Sequence, residues 1–196
     1  SNEAGNFPPR ADLTMYSAMA AVSECMADHK KTAAYLCSNI DYTLQAFEND
    51  TARLGKAYCS DGKYEDAVTV YETFFEVMRA IFKDEIPPSY HDFDSGDCYL
   101  LLAEAYIAAG KTSKAMDAVE KSVMYYIDLY NTYTEENILQ RSRIKSPVVR
   151  ETELVTSLPK KIIKQKLLYK LSAPGIQALN REARFLELSE TVNNLS

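Results

Sequence analysis

The chain has 196 residues, of which 46% are apolar and 26% charged, and its formal net charge is −6. These values are ordinary for a soluble globular protein, and no apolar run approaches the roughly 18 residues of a membrane-spanning helix. No secretory signal pattern opens the chain. The acidic balance disfavours a grip on a nucleic-acid backbone by this chain alone, so DNA contact would need a further domain.

Four cysteines, at positions 25, 37, 59 and 98, are widely spaced and form no CxxC pair. With two histidines in the chain, this spacing offers no recognisable metal site. Isolated cysteines on apolar helical stretches are usually buried thiols, and they indicate a reducing, cytoplasmic compartment. We expect neither a metal nor a cofactor.

The chain begins Ser1-Asn2, a start typical of a scar left by tag removal, although a natural processed terminus is the alternative. We expect residues 1–10 to be a disordered or tag-derived leader and the sequence to be a fragment of a longer protein. Residues 11–27 and 31–48 carry apolar side chains at helical spacing and predict a first helical hairpin. Its apolar positions include Leu13, Tyr16, Met19, Met26, Tyr35, Leu36, Ile40, Leu44 and Phe47.

Two later segments superimpose with an offset of 48 residues. The first reads Thr51-x2-Leu54-Gly55-x2-Tyr58, then Gly62-Lys63 and Ala67-x3-Tyr71; the second reads Tyr99-x2-Leu102-Ala103-x2-Tyr106, then Gly110-Lys111 and Ala115-x3-Val119. In each, Leu and Tyr share one helix face, and Gly supplies the left-handed residue that ends the first helix. The Ala is small where the second helix crosses the first. The pattern predicts an antiparallel helical hairpin, made twice.

This pattern resembles the tetratricopeptide (TPR) repeat, Trp-x2-Leu-Gly-x2-Tyr followed by Ala-x3-Phe and Pro. The departures are Thr51 and Tyr99 for Trp, Ala103 for Gly and Val119 for Phe. The offset also exceeds the usual repeat of about 34 residues, which predicts a long second helix from Tyr64 to about Phe82 and a loop at 83–88. The resemblance implies an all-α fold. TPR-like antiparallel hairpins over 11–130 would stack as a short right-handed superhelical array with extra C-terminal helices.

The C-terminal third differs in character. We expect an irregular connection over 131–159, with a short helix near 135–142, and then a helical pair over 160–196 packed on the array. Pro159 begins the first of these helices, the sequence Ser172-Ala173-Pro174-Gly175 breaks it, and 176–194 predict a final amphipathic helix. The segment 141–170 contains nine basic and two acidic residues. It predicts either a solvated basic face or a docking surface for an acidic partner, including the chain's own acidic half.

A second resemblance covers most of the chain. TPR-like hairpins are followed by Ser146-Pro147-Val148-Val149-Arg150-Glu151-Thr152-Glu153-Leu154, by Leu167-Leu168-Tyr169-Lys170-Leu171 and by Ile176-x2-Leu179-Asn180-Arg181-Glu182-Ala183-Arg184-Phe185. This order is similar to the C-terminal regulatory half of bacterial helix-turn-helix transcriptional regulators of the Xre type. The resemblance implies a DNA-binding domain N-terminal to this fragment.

The resemblance to TPR arrays also implies a ligand site, because the first helix of each hairpin lines the concave groove. The candidates there are Asn49, Arg53, Lys56, Asp97, Leu101 and Glu104. Tyr126 and Tyr130 belong to a tyrosine-rich stretch that suits either an anchor for a protein partner or packing against the C-terminal helices. The expected partner is a protein or peptide, including a second copy in a homodimer.

Other chemistry is disfavoured. The acidic run 92–97 departs from an EF-hand, because Gly96 comes one place early and Ala103 stands where the bidentate Glu belongs. Ser95 or Asp97 is instead expected to cap a helix beginning at Cys98. No acid, base and nucleophile converge, so we expect no enzyme and no catalytic residue. The sequence predicts a sensor or oligomerisation domain of a cytoplasmic regulator; a free-standing TPR adaptor is the alternative.

Overall fold

A computed structural model describes residues 11–82, 95–132 and 160–195. Within these ranges the protein is all-helical and has no strand, as the sequence predicts. Its helices are α1 (Ala11–Cys25), α2 (His29–Ser60), α3 (Tyr64–Phe82), α4 (Ser95–Ala108), α5 (Thr112–Thr132), α6 (Lys160–Leu171), α7 (Pro174–Gln177) and α8 (Ala183–Asn193). None of the helices in the described ranges is long and apolar enough to cross a membrane.

Several predicted features lie outside the described residues. They are the leader 1–10, the loop 83–88, the acidic residues 92–94, the connection 133–159 with its predicted short helix, and the regulator-like motif 146–154.

The chain divides into two compact units, and the boundary falls within α2, between Phe47 and Glu48. Of the described residues, 11–47 belong to the first unit, and 48–82, 95–132 and 160–195 belong to the second. α2 is one helix of 32 residues, whereas the sequence analysis placed a helix at 31–48 and then a separate repeat helix. The helix continues because no Gly or Pro occurs between His29 and Leu54, and residues such as Asn49 and Thr51 only weaken a helix without ending it.

The first unit is an α1–α2 hairpin with a tight turn. Ala27 has a positive φ of 55°, and the next residue, Asp28, caps α2 by accepting a hydrogen bond from the backbone N–H of Lys31 at 3.1 Å. Between the helices, the rings of Tyr16 and Tyr42 lie 5.3 Å apart, and Asn39 donates to the hydroxyl of Ser17. Ring contact and hydrogen bond together fix the register of the two helices.

In the second unit, α2 and α4 end in the same way. Gly62 and Gly110 have φ of 76° and 74°, as the sequence predicts. Each Gly N–H bonds three residues back, to Cys59 or Ile107, and the following Lys N–H bonds five back, to Tyr58 or Tyr106. This is the Schellman motif, and it turns the chain directly into α3 and α5.

Small residues let the paired helices approach. Ala67 and Ala115 are fully buried, as are Tyr71 and Val119 one turn later. A Cβ placed on Gly55 would overlap the ring of Tyr71, whose hydroxyl donates to the carbonyl of Ala52. One residue departs from the predicted row of inward-facing side chains: Leu54 is 46% exposed, whereas its counterpart Leu102 is 6% exposed.

The C-terminal helices pack on α4 and α5. α6 contacts α5, α7 contacts α4, and α8 contacts α5 and α6; their inward side chains are Ile163, Leu167, Leu171, Ile176, Leu179, Phe185 and Val192. α6 ends where the Ser172–Gly175 break was predicted. The single helix predicted over 176–194 is wrong: the chain turns after Gln177 and restarts at Ala183, with Glu182 in extended conformation. The turn lets Leu179 and Phe185 both reach the interior.

Candidate functional site

A pocket of about 240 Å³ lies in the second unit. Its wall combines the end of α2, one face of α4 and the α6–α7 corner. The lining residues are Lys56 of α2; Asp97, Leu100, Leu101 and Glu104 of α4; Tyr169 and Lys170 of α6; Ala173; and Ile176 of α7.

The sequence of α4 explains why four of its residues share this wall. Positions 97, 100, 101 and 104 recur at intervals of three and four, so their side chains lie along one face of the helix. The opposite side of α4 packs against α3 and α5, where Ala103 and Ala105 are fully buried. The remaining wall comes from α6 and α7, which lie across the open side of α4.

Asp97 connects the pocket to the interior. Its side chain is 10% exposed, and Lys170 Nζ approaches Oδ1 at 2.5 Å while Lys166 Nζ lies 3.7 Å from Oδ2. The buried hydroxyl of Tyr126 donates to Oδ1 as well. A carboxylate at this depth needs such partners, because an uncompensated buried charge is strongly unfavourable. The group therefore fixes α6 to α4 and α5.

The start of α4 differs from the sequence prediction. The helix begins at Ser95 instead of Cys98, which places Asp97 inside the first turn. Its carboxylate contacts Tyr126 of α5 and Lys166 and Lys170 of α6, so it links neighbouring helices to α4. α5 approaches α4 closely here: a Cβ on Gly96 would lie 2.6 Å from the Tyr126 ring, and Ser122 Oγ donates to the Gly96 carbonyl at 2.8 Å.

Glu104 lies two turns further along the same face of α4. Its side chain abuts Gly175, where an added Cβ would lie 3.1 Å from Glu104 Oε1. Burial raises the pKa of Glu104, and the ammonium groups of Lys56 and Lys170 act in the opposite direction. The pocket thus contains a half-buried carboxylate, and the two nearby ammonium groups only partly offset the cost of ionising it.

Four of the eight predicted partner-binding residues meet at this pocket: Lys56, Asp97, Leu101 and Glu104. Asn49 and Arg53 belong to α2 but do not line the pocket. The Arg53 side chain is 84% exposed and lies 3.9 Å from Asp50.

Tyr126 and Tyr130 are buried, at 1% and 6% exposure. Lys166 and Lys160 of α6 lie over their rings, at 5.5 Å and 5.1 Å from the centroids. These tyrosines therefore pack against the C-terminal helices. This was one of the two roles predicted for the tyrosine-rich stretch; the other was an anchor for a protein partner.

Four lining residues were not predicted to belong to the site: Tyr169, Lys170, Ala173 and Ile176. For Tyr169 and Lys170 the available signal is the basic run 141–170, for which a docking surface for an acidic partner, including the chain's own acidic half, was one of two predictions. Lys166 and Lys170 do pair with Asp97. A third link joins α8 to α5, where Arg184 bonds Asp117 and Glu120.

Among residues 11–82, 95–132 and 160–195, no group of three or more His, Cys, Asp or Glu side chains is arranged to hold a metal ion. The four cysteines are free thiols. Burial, with a further contribution from the Glu104 carboxylate, raises the pKa of Cys59, which disfavours a reactive thiolate.

No family model matches this chain, and comparison with curated proteins and with solved structures finds no significant similarity.

Proposed function

We propose that this chain is a TPR-like binding module that serves as the regulatory domain of a cytoplasmic bacterial helix-turn-helix transcriptional regulator. The observation that carries the proposal is the convergence of Lys56 from α2 with Asp97, Leu101 and Glu104 from α4 on one pocket. These residues stand on the first helices of the two similar hairpins, where TPR-like modules present their ligand-binding side chains. A ligand there would bias how attached DNA-binding domains are arranged.

The arrangement of the C-terminal helices supports a signalling role for the site. α6 and α7 complete the pocket wall, and α6 is tied to α4 and α5 through Asp97. A ligand that contacts α4 and α6 together would therefore change the free energy of their relative placement, which is the requirement for coupling binding to conformation.

The coding sequence upstream of residue 3 tests the regulatory role. We expect an in-frame helix-turn-helix segment there. In a gel-shift assay the full-length protein should bind DNA, whereas this chain alone should not. An upstream sequence without such a segment would contradict the proposal.

A free-standing adaptor that binds a peptide or helix of another protein is the second candidate. It is favoured by exposed apolar side chains in the first unit, since Met15, Val22 and Met26 of the α1 region are 51%, 60% and 72% exposed. Large exposed apolar residues grouped in this way are typical of protein-interaction surfaces. Light scattering during size-exclusion chromatography, at increasing concentration, distinguishes a homodimer from a monomer.

A further inference from the structure

The pocket wall contains equal numbers of positive and negative side chains. Lys56 and Lys170 supply two ammonium groups, and Asp97 and Glu104 supply two carboxylates. Asp97 is already bound by Lys166, Lys170 and Tyr126. Glu104 forms neither a hydrogen bond nor an ion pair with any residue in the described parts of the chain.

A half-buried carboxylate without hydrogen-bond donors is unfavourable, because burial removes water that would otherwise solvate the charge. The raised pKa of Glu104 reflects this loss of solvation. A ligand that brings N–H donors to Glu104 would restore those bonds, and a charged donor would make stronger ones. The carboxylate therefore defines the position of a donor group in the ligand.

The two lysines restrict the ligand further. A simple cation placed at Glu104 would lie near Lys56 and Lys170, whose charges both act on the Glu104 carboxylate. A simple anion placed near those lysines would be repelled by Glu104. A ligand carrying an ammonium and a carboxylate a few bonds apart satisfies both signs of charge.

Size and apolar lining select among such zwitterions. At about 240 Å³ the pocket is smaller than the roughly 300–1,000 Å³ of sites for drug-sized ligands. Leu101 and Ile176 give it an apolar side, and the 79% exposed ring of Tyr169 stands at its rim. This lining suits one apolar side chain of modest size.

We propose that the pocket binds a free amino acid with an apolar side chain. The α-ammonium donates to Glu104, the α-carboxylate lies toward Lys56 and Lys170, and the side chain packs between Leu101 and Ile176. The proposal goes beyond the regulatory role and does not depend on it, because an adaptor could carry the same site.

Isothermal titration calorimetry with matched ligands tests the proposal. Leucine, methionine and phenylalanine are expected to bind, and glycine more weakly. N-acetylleucine lacks the ammonium and leucinamide lacks the carboxylate, so each should bind about tenfold or more weakly than leucine. Leucinamide binding as tightly as leucine would indicate a simple cation site and overturn the proposal, as would the absence of binding by all the free amino acids at millimolar concentration.

Two variants and a control locate the binding. Glu104→Gln should weaken leucine at least about tenfold, since it removes a charge-assisted hydrogen bond, whereas Glu187→Gln on the exposed face of α8 should leave it unchanged. Lys56→Gln alters an exposed side chain and should weaken leucine while leaving leucinamide unaffected. Unchanged leucine affinity in both pocket variants would contradict the assignment; circular dichroism confirms that each variant is folded.

Discussion

Gly62 and Gly110 each end a helix through the backbone conformation of a single residue. Both have a positive φ, and a Cβ at either position would meet nothing within 4 Å. Replacement therefore tests backbone conformation without a steric clash. Gly62→Ala should lower the free energy of unfolding by about 1 kcal/mol, because an L side chain disfavours the left-handed region. Guanidinium denaturation measures the loss, and Gly62→Asn should recover part of it. Equal stability of the Ala variant and the parent would contradict the prediction.

Glu104 is expected to affect both the stability of the fold and the binding of a ligand. Its pKa is raised from the ordinary value of 4.5 by burial, so ionisation is harder in the folded state than in the unfolded one. The charged form therefore destabilises the fold above the folded-state pKa, and this effect disappears below pH 4.5.

Glu104→Gln should accordingly unfold at higher denaturant concentration than the parent at pH 7, and the two curves should converge as the pH falls below 4.5. Denaturation of both proteins across this pH range measures the difference. Glu187→Gln serves as the control and should track the parent. A variant less stable than the parent at pH 7 would show that the Glu104 carboxylate is stabilised by contacts.

Residue types alone predicted the turn glycines and the crossing alanines, because both depend on local geometry. They did not predict the partners of Asp97. Lys166, Lys170 and Tyr126 approach it from two other helices, and the sequence carries no local signal for pairs so far apart in the chain.

At the scale of the element, Asp97 links α6 to α4 and α5 through ion pairs and a hydrogen bond, in addition to the apolar packing of α6. Asp97→Ala should lower the free energy of unfolding by about 2 kcal/mol, because it leaves two partly buried lysines and the buried Tyr126 hydroxyl without their partner, and Tyr126→Phe by about 1 kcal/mol. The matched comparison is Asp117→Ala, which removes an ion pair to Arg184 whose side chains are 55% and 52% exposed. Such surface pairs contribute below about 1 kcal/mol. Chemical denaturation of the three variants checks the order, and equal losses at Asp97 and Asp117 would contradict it.

Helix bounds were predictable where a strong signal ended the helix. α6 ends at the Ser172–Gly175 break, and Gly110 separates α4 from α5. The prediction was wrong where the signal was weak. α2 continues through Asn49–Thr51 without a break, and the turn at 178–182 interrupts an apolar pattern that reads as one helix. Residues that only weaken a helix do not fix where it ends, so neither bound could be predicted from the sequence.

At the scale of the whole molecule, burial is concentrated in the second unit. Ala103, Ala105, Val119, Val123 and Leu167 are all 0% exposed, whereas α1 presents large exposed apolar side chains. Local opening is easiest where few apolar contacts are broken. Amide hydrogen exchange should therefore be slowest in α4, α5 and α6 and faster in α1. Protection in α1 equal to that in α5 would contradict this distribution, and a concentration-dependent rise would indicate that a second copy covers α1.

The central claim is that the pocket formed by α2, α4, α6 and α7 binds a free amino acid with an apolar side chain. A heteronuclear NMR titration with leucine tests it most directly, because amide shifts report which residues a ligand touches. The account predicts saturable shifts centred on Leu101, Glu104 and Lys170, which Glu104→Gln abolishes and Glu187→Gln leaves intact. Shifts centred elsewhere on the molecule, or no shifts at millimolar leucine, would contradict it.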